Sequence, residues 1–249
     1  MLTVTRHAKI LEVLRRSGEV SVDDLAGQFG VSSSTIRRDL NALSADKLLK
    51  RVRGGGAVEP DAVPFGETAH QALTEKTRIA MAAANLVNDG DVVLIDIGTT
   101  TALLARFLRG KHITVLTSSL AVVDELRDDE DVEVIVLGGV LRRTYHSLVG
   151  ILTEQALSQL RAHLCFMGTS GIRRDGYVMD STGIEVPVKK AMIASSERTI
   201  VLADGSKYPG AGLLTVCAPS EIHTLITNSD ADAATLELFR SAGAEVLTV

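Results

Sequence analysis

An α/β fold in two parts is predicted, a small helical head closed by a basic hairpin and a larger body built on a mostly parallel sheet. Three observations predict it. Apolar residues as far as Leu43 recur at helical spacing between glycine stops. Basic residues gather at the front: residues 1–58 hold ten Lys+Arg against six Asp+Glu, and the remainder holds 16 against 25. From Gln71 onward, short β-branched runs alternate with helical segments.

Composition narrows the function classes. A chain of 249 residues, 45% hydrophobic, has room for two ordinary domains with buried cores. No apolar run approaches the ~20 residues of a membrane helix. The start, MLTVTRHAKILEVLRR, lacks the apolar stretch of a secretory signal, so a cytoplasmic protein without membrane contact is expected. Cys165 and Cys217 have no CxxC spacing, and Cys165 sits in the core-like run LCFMG. The six histidines form no ligand pair, so neither a metal site nor a cofactor is expected. A basic head on an acidic body is the asymmetry of a chain whose head alone meets a polyanion. Aromatics make up 3% and Trp is absent, which favours duplex DNA over a stacked single strand.

In the head, residues 5–17 put Ile10, Leu11 and Leu14 on one helical face, with Arg6, Lys9 and Arg16 largely elsewhere, and Gly18 ends the helix. Ser21 caps the next helix with Asp24 at its third position, and Val20 and Leu25 occupy the staple positions. Gly30 ends that helix in a tight turn. Ser32 then caps a third helix, where Val31 can pack on Ile36. Ile36, Leu40 and Leu43 face inward, while Ser34, Arg37, Arg38 and Asn41 face out. Two short helices joined by a glycine turn read as a helix-turn-helix, whose second helix enters the major groove with Arg and Asn toward base edges. Ser33 and Thr35 suit phosphate contacts at the helix start. The run LLKRVRGGGAV reads as a hairpin wing, with Lys50, Arg51 and Arg53 spaced for backbone phosphates and Gly54, Gly55 and Gly56 permitting the turn. The plainer reading is a three-helix module with a solvated charged face. Capping, apolar spacing, glycine turn and basic hairpin occurring in this order favour DNA binding.

Residues 57–70, with Pro60 and Pro64 and no periodicity, read as a linker between a head of residues 1–56 and a body of residues 71–249. In the body a helix is predicted near Leu73–Asn88. Strands are predicted at VVLID, ITVLT, VEVIVLGG, LCFMG, TIVLAD and TLITN, with helices near Ala102–Leu108, Ala121–Leu126, Thr153–Leu160, Val186–Ala194 and Ala233–Ser241. This alternation predicts a Rossmann-like parallel sheet covered on both faces, with ligands at the carboxyl ends of the strands. Candidate anion-binding residues gather there: Asp96 with Gly98, Thr99, Thr100 and Thr101; Ser118 and Ser119; Gly138 and Gly139 followed by Arg142 and Arg143; Asp204 and Ser206 with Lys207. Taken singly, each loop reads equally as helix caps and chain turns. Four such strand ends in one sheet favour a shared anion site.

The run VSVDDLAGQFGVSSSTIRRDLNAL followed by LLKRVRGGGAV resembles the DeoR family of bacterial regulators, above all in Thr35-Ile36-Arg37-Arg38-Asp39-Leu40 and the glycine wing. The resemblance continues through the body, which is similar to that family's sensor domain and through it to ribose-phosphate isomerases and glucosamine-phosphate deaminases. It implies that Asp96 with Gly98–Thr101, Gly138 with Gly139, and Asp204 with Ser206 and Lys207 surround a phosphorylated sugar. One departure is Thr117-Ser118-Ser119, where the family commonly carries Thr-Asn. The implied protein is a repressor of carbohydrate genes, a homo-oligomer (dimer or tetramer) that binds a double-stranded operator and is released by its effector.

The rival class is an isomerase or deaminase fused to a DNA-binding head. Isomerases of this fold carry an Asp-Gly-Ala-Asp-Glu run where this chain has Met167-Gly168-Thr169-Ser170-Gly171, without those carboxylates. Glu185 and Lys190 are expected on a surface helix, and Asp96 or Asp180 would act as a base only in a rebuilt site. No catalytic residue is therefore assigned.

Overall fold

The structure, a computed structural model, describes residues 3–17, 19–45, 49–52, 54–57, 65–210, 212 and 214–249. Two compact units divide the chain, Met1–Pro64 and Phe65–Val249. Gly18, Arg53, Pro60 and Pro64, each given a role above, lie outside the described residues, as do the side chains of Arg16, Lys50 and Arg51.

The head runs α1 (Thr3–Ser17), β1 (Glu19–Ser21), α2 (Val22–Phe29), α3 (Ser33–Ala45), β2 (Lys50–Val52) and β3 (Gly55–Ala57). Ser21 caps α2 by accepting the Asp24 N–H at 3.1 Å. Gly30 closes α2 in the left-handed region at φ 62°, which glycine adopts without steric cost. Ser32 caps α3 through the Thr35 N–H at 3.2 Å. Ile10, Leu14, Val22, Leu25, Ile36, Leu40, Leu43 and Leu49 close into one core, with Val20 and Val31 packed on it. A full burial of this kind is worth about 1.5–3 kcal/mol per large aliphatic side chain. The wing is antiparallel β2–β3, and β1, which the sequence did not reveal, adds to it in the order β1-β3-β2. A Cβ on Gly55 would stand 2.2 Å from the Val20 carbonyl oxygen, so that glycine is set by strand packing. Arg6 departs from expectation. It is buried rather than turned outward, because Asp39 draws its guanidinium inside.

The body runs α4 (Phe65–Ala69), α5 (Leu73–Ala84), β4 (Val92–Ile95), α6 (Thr99–Leu108), β5 (Ile113–Thr117), α7 (Leu120–Leu126), β6 (Val132–Val136), β7 (Val140–Arg142), β8 (Ser147–Val149), α8 (Ile151–Ser158), β9 (Ala162–Gly168), β10 (Gly171–Ile172), β11 (Val178–Asp180), α9 (Glu185–Ala194), β12 (Ser196–Leu202), β13 (Leu214–Cys217), β14 (Thr224–Thr227), α10 (Ala233–Ser241) and β15 (Glu245–Thr248). Seven strands form one parallel sheet in the order β15-β14-β12-β9-β4-β5-β6. Residues of α5, α6 and α7 pack on one face, around Ile79, Leu104 and Val122. Residues of α8, α9 and α10 pack on the other, around Leu157, Met192 and Phe239. The stretch read as linker ends earlier than expected. Phe65–Ala69 is helical and belongs to the body, because Phe65 stacks on His146 and meets Tyr145 edge-on. The β7–β8 hairpin and the antiparallel β10-β11-β13 sheet are additions to the expected alternation.

The chain starts this sheet near its middle. From β4 it steps outward to β5 and β6, then returns to the opposite side of β4 and continues through β9, β12, β14 and β15. The order therefore reverses between β4 and β9, and open α/β sheets bind ligands in the crevice at such a reversal.

Candidate functional site

In the head, α3 presents Ser34, Arg37, Arg38 and Asn41 outward, with Ile36, Leu40 and Leu43 buried behind them. Hydroxyls at its start have partners within the head: Ser33 donates to Asp23 at 3.0 Å, and Ser32 lies 2.9 Å from the Thr35 hydroxyl. Asp39, on the inner side of α3, takes two hydrogen bonds from Arg6 of α1, at 2.5 and 3.0 Å, and lies 3.1 Å from His7. The Arg6 hydrogen bond holds the Asp39 carboxyl below its ordinary value. This pair fixes the pitch of α3 against α1 and so aims the outward face.

In the body, Asp96 follows β4 directly and is buried. Its Oδ2 accepts the Gly168 N–H at 2.9 Å and the Lys189 ammonium at 2.6 Å. Lys189 also donates to the Gly168 carbonyl at 2.8 Å and lies 3.5 Å from Asp180. Burial pulls the Lys189 pKa down, but Asp96 and then Asp180 outweigh it, and the net shift is upward. This lock ties the ends of β4 and β9 together beside the first turn of α6. Gly98 precedes that turn with φ −72°, a conformation open to any residue, so its smallness serves space. A Cβ there would meet the Thr101 hydroxyl at 3.3 Å and Gly168 Cα at 3.7 Å. Thr99 and Thr100 lie in the positive first turn. The Thr101 hydroxyl instead donates to the Asp96 and Gly98 carbonyls at 2.7 Å each, which shapes the loop.

Beyond β12, Asp204 accepts the Ser206 N–H at 3.0 Å and starts a single turn, Gly205–Lys207. The other oxygen of Asp204, Oδ2, and the Nδ2 of neighbouring Asn228 are buried with no hydrogen-bond partner among the described residues. Lys76 of α5 interacts electrostatically with both Asp204 and Lys207. Burial brings its ammonium down to about 8, and it donates to the Thr68 carbonyl at 2.6 Å. Buried Lys76 and Asp204 and half-buried Lys207 thus share a polar corner on the α6 side of the sheet.

On the other flank Arg142 pairs with buried Glu185 and lies over the Tyr145 ring at 5.4 Å. Burial raises the Glu185 carboxyl and Arg142 opposes the rise. Ser118 accepts the Leu148 N–H on its carbonyl, while Ser119 caps α7 through the Val122 N–H at 3.3 Å. Packing accounts for Gly139 but not for Gly138, where a Cβ would meet open space. Gly138 receives the Thr153 hydroxyl at 2.6 Å, and a Cβ on Gly139 would stand 2.4 Å from that hydroxyl oxygen. Arg143 is exposed.

Sequence reasoning missed Lys76 and Lys189 and placed Glu185 on a surface. Lys190, the lysine it singled out, is the exposed one, because the inward stripe of α9 is Glu185, Val188, Lys189 and Met192. The same signal marks α5, where Lys76, Ile79, Ala80 and Ala83 share the buried stripe. A charge at i, i+3, i+4 or i+7 of an apolar face was the readable clue. The structure also supplies carboxylates that the Met167–Gly171 run lacks, in Asp96, Asp180 and Glu185, each facing a cation.

A family model described as the DeoR-like helix-turn-helix domain matches residues 6–60, and one described as the DeoR C terminal sensor domain matches residues 71–229. The chain is 32% identical to the glycerol-3-phosphate regulon repressor of Escherichia coli, over 92% of each chain. It is 34% identical to a putative aga operon transcriptional repressor of Escherichia coli O157:H7, over 99% of this chain and 94% of that one. Among solved structures, ribose 5-phosphate isomerase A from Methanocaldococcus jannaschii is similar at 18% identity and a TM-score of 0.39, over 53% of this chain and 52% of that one.

Proposed function

The chain belongs to the DeoR family of transcription regulators, not to the enzymes of similar fold, and on that premise we propose that its body binds a phosphorylated sugar that releases the head from an operator. One observation carries the reading. At the point where strand order reverses, the Asp96–Lys189–Gly168 lock presents the first turn of α6, and Lys207 and Lys76 lie across β9 on the β12 side. A helix start with unspent N–H groups and two lysines suits a phosphate dianion. The cations facing Asp96, Asp180 and Glu185 leave these carboxylates as structural and binding groups rather than a free base.

In this reading Arg37, Arg38 and Asn41 read base edges, while Ser33, Ser34, Thr35, Lys50, Arg51 and Arg53 meet phosphates. Effector contacts come from Gly98, Thr99, Thr100, Ser118, Arg142, Asp204, Lys207 and Lys76. Asp96, Thr101, Ser119, Gly138 and Gly139 hold the frame. The functional units are a head of residues 1–56, a linker of residues 57–64 and a body from Phe65. One recognition helix reads a half-site, so the working form is a homo-oligomer, a dimer or tetramer, on a pseudopalindromic operator in the cytoplasm. The regulated genes serve carbohydrate use, as the relatives' names indicate for them.

A thermal-shift screen of sugar phosphates beside their unphosphorylated sugars tests this. Stabilisation should require the phosphate. Lys207→Ala should raise the dissociation constant roughly tenfold or more, since a charge-assisted contact is worth ~1.5–3 kcal/mol. Equal responses to phosphorylated and plain sugars would refute the reading.

A further inference from the structure

Glu185 stands out among the buried polar groups. Its Oε1 takes Arg142 and, at 3.3 Å, the Ser147 hydroxyl, while its Oε2 is buried with no hydrogen-bond partner among the described residues. It lies one helical turn before Lys189 and is electrostatically coupled to Asp96, so it borders the same crevice. A buried carboxylate oxygen without a donor has given up its water for nothing in return, a loss that a ligand's hydroxyl would make good.

The residue that holds Oε1 belongs to the β7–β8 hairpin, and the tip of that hairpin holds α4. Arg142 lies over Tyr145, whose ring meets Phe65 edge-on at 6.4 Å between centroids. His146, in the left-handed region at φ 52°, stacks on Phe65 at 5.7 Å. The Phe65 N–H donates to the Thr144 carbonyl at 3.0 Å. The other end of this five-residue helix is held by Lys76, through the Thr68 carbonyl. One end of α4 is therefore fastened by the tip of the hairpin that carries Arg142, and the other by Lys76. Phe65 is the first residue of the body, directly after the stretch that leads from the head.

We infer that Glu185 takes a hydroxyl of the effector on its unshared Oε2, and that the chain Glu185–Arg142–Tyr145–Phe65 carries occupancy of the crevice to the point where the body begins. The inference rests on the sugar-phosphate reading above and adds the polyol contact and the route of regulation. A hydroxyl on Oε2 changes the charge that Arg142 sees. A phosphate beside Lys76 competes with the Thr68 carbonyl. Each event loosens one fastening of α4, and α4 has too few residues to keep its seat by its own backbone bonds. Effector affinity and operator affinity are then linked through the position of one short helix.

The chain has no Trp, so Phe65→Trp places a single indole emitter in the stack. In the full-length protein, Glu185→Gln introduced into Phe65→Trp should shift the emission maximum without any ligand. If that pair does not fold, Tyr145→Leu cuts the chain from its outer end and should give the same shift. Glycerol 3-phosphate, glucose 6-phosphate, fructose 6-phosphate and glucosamine 6-phosphate are then titrated, with binding measured in parallel by calorimetry. A sugar phosphate that binds should move the emission, and Glu185→Gln should weaken that ligand severalfold more than it weakens its deoxy analogue. Calorimetric binding with unmoved emission overturns the route. Equal weakening of ligand and deoxy analogue overturns the hydroxyl contact. Emission that answers to Glu185→Gln while none of the phosphates binds upholds the route and counts against the sugar-phosphate reading.

Discussion

Replacing Lys189 by Met keeps the length of the side chain and removes the only charge on it. The loss falls on two buried carboxylates at once, since the ammonium stands 2.6 Å from Asp96 and 3.5 Å from Asp180. It also strands the Gly168 carbonyl, which accepts from Lys189 at 2.8 Å. Removing one partner of a buried pair costs about 3–5 kcal/mol, because the charge left behind has lost its solvent and its counter-ion. Total domain stability is typically 5–15 kcal/mol, so this is a large share of it. At roughly 2–4 °C per kcal/mol for a domain of this size, the body's melting temperature should fall by about 6–20 °C. Calorimetry of the full-length protein measures it. The sign with pH is also set. The folded pKa of Lys189 lies above the ordinary 10.5, so its contribution is complete below that pH and is lost only as pH rises through the folded value. Asp96→Asn in the Lys189→Met background should recover part of the loss, since Asn can still accept the Gly168 N–H. A melting temperature within 2 °C of wild type in Lys189→Met (~0.5–1 kcal/mol at that slope) would refute the account of the lock.

Two further outcomes are expected. Arg37→Ala or Arg38→Ala should cost ~1–3 kcal/mol of operator affinity where the arginine makes a bidentate base contact, and an unchanged dissociation constant in the double mutant, with its helical signal intact, would remove α3 as the reading helix. Lys76, brought down to about 8 by burial, is mostly neutral at pH 9, so stability should rise from about pH 8 to its ordinary 10.5, and an anion bound beside it should draw in a proton. Sugar-phosphate titrations at pH 9 in two buffers of different ionisation enthalpy should therefore give different heats, and identical heats would exclude Lys76 from the anion site.

The parts of this fold that were legible in the sequence are those fixed by neighbours along the chain. The stripe Ile36, Leu40 and Leu43, the caps at Ser21 and Ser32 and the left-handed Gly30 all act within one turn of helix. The six expected strands were legible for the same reason, as short β-branched runs between turn residues. The β7–β8 hairpin was hidden because each of its strands has three residues, too few to show an alternation. Hydroxyl-rich loops were legible as loops but not by role. Thr99 and Thr101 differ by two positions, and only the fold reveals that Thr101 spends its hydroxyl on the Asp96 and Gly98 carbonyls.

The site was harder to read than the fold because its strongest bonds are non-local. Asp96 and Lys189 are 93 residues apart, and Arg142 and Glu185 are 43 apart. Neither pair can form until β9 has inserted beside β4 and α9 has docked on the opposite face from α6. Before that, each of these charges is one more polar residue in a helix or a turn. Once the sheet is assembled they have no solvent to return to, and partner exchange becomes the only inexpensive motion left to them. A ligand that offers a hydroxyl to Glu185 or a phosphate to Lys76 supplies such an exchange. The feature that hides the site from sequence inspection, charge buried on apolar stripes, is thus the same feature that lets a small effector act on a body otherwise held by packing.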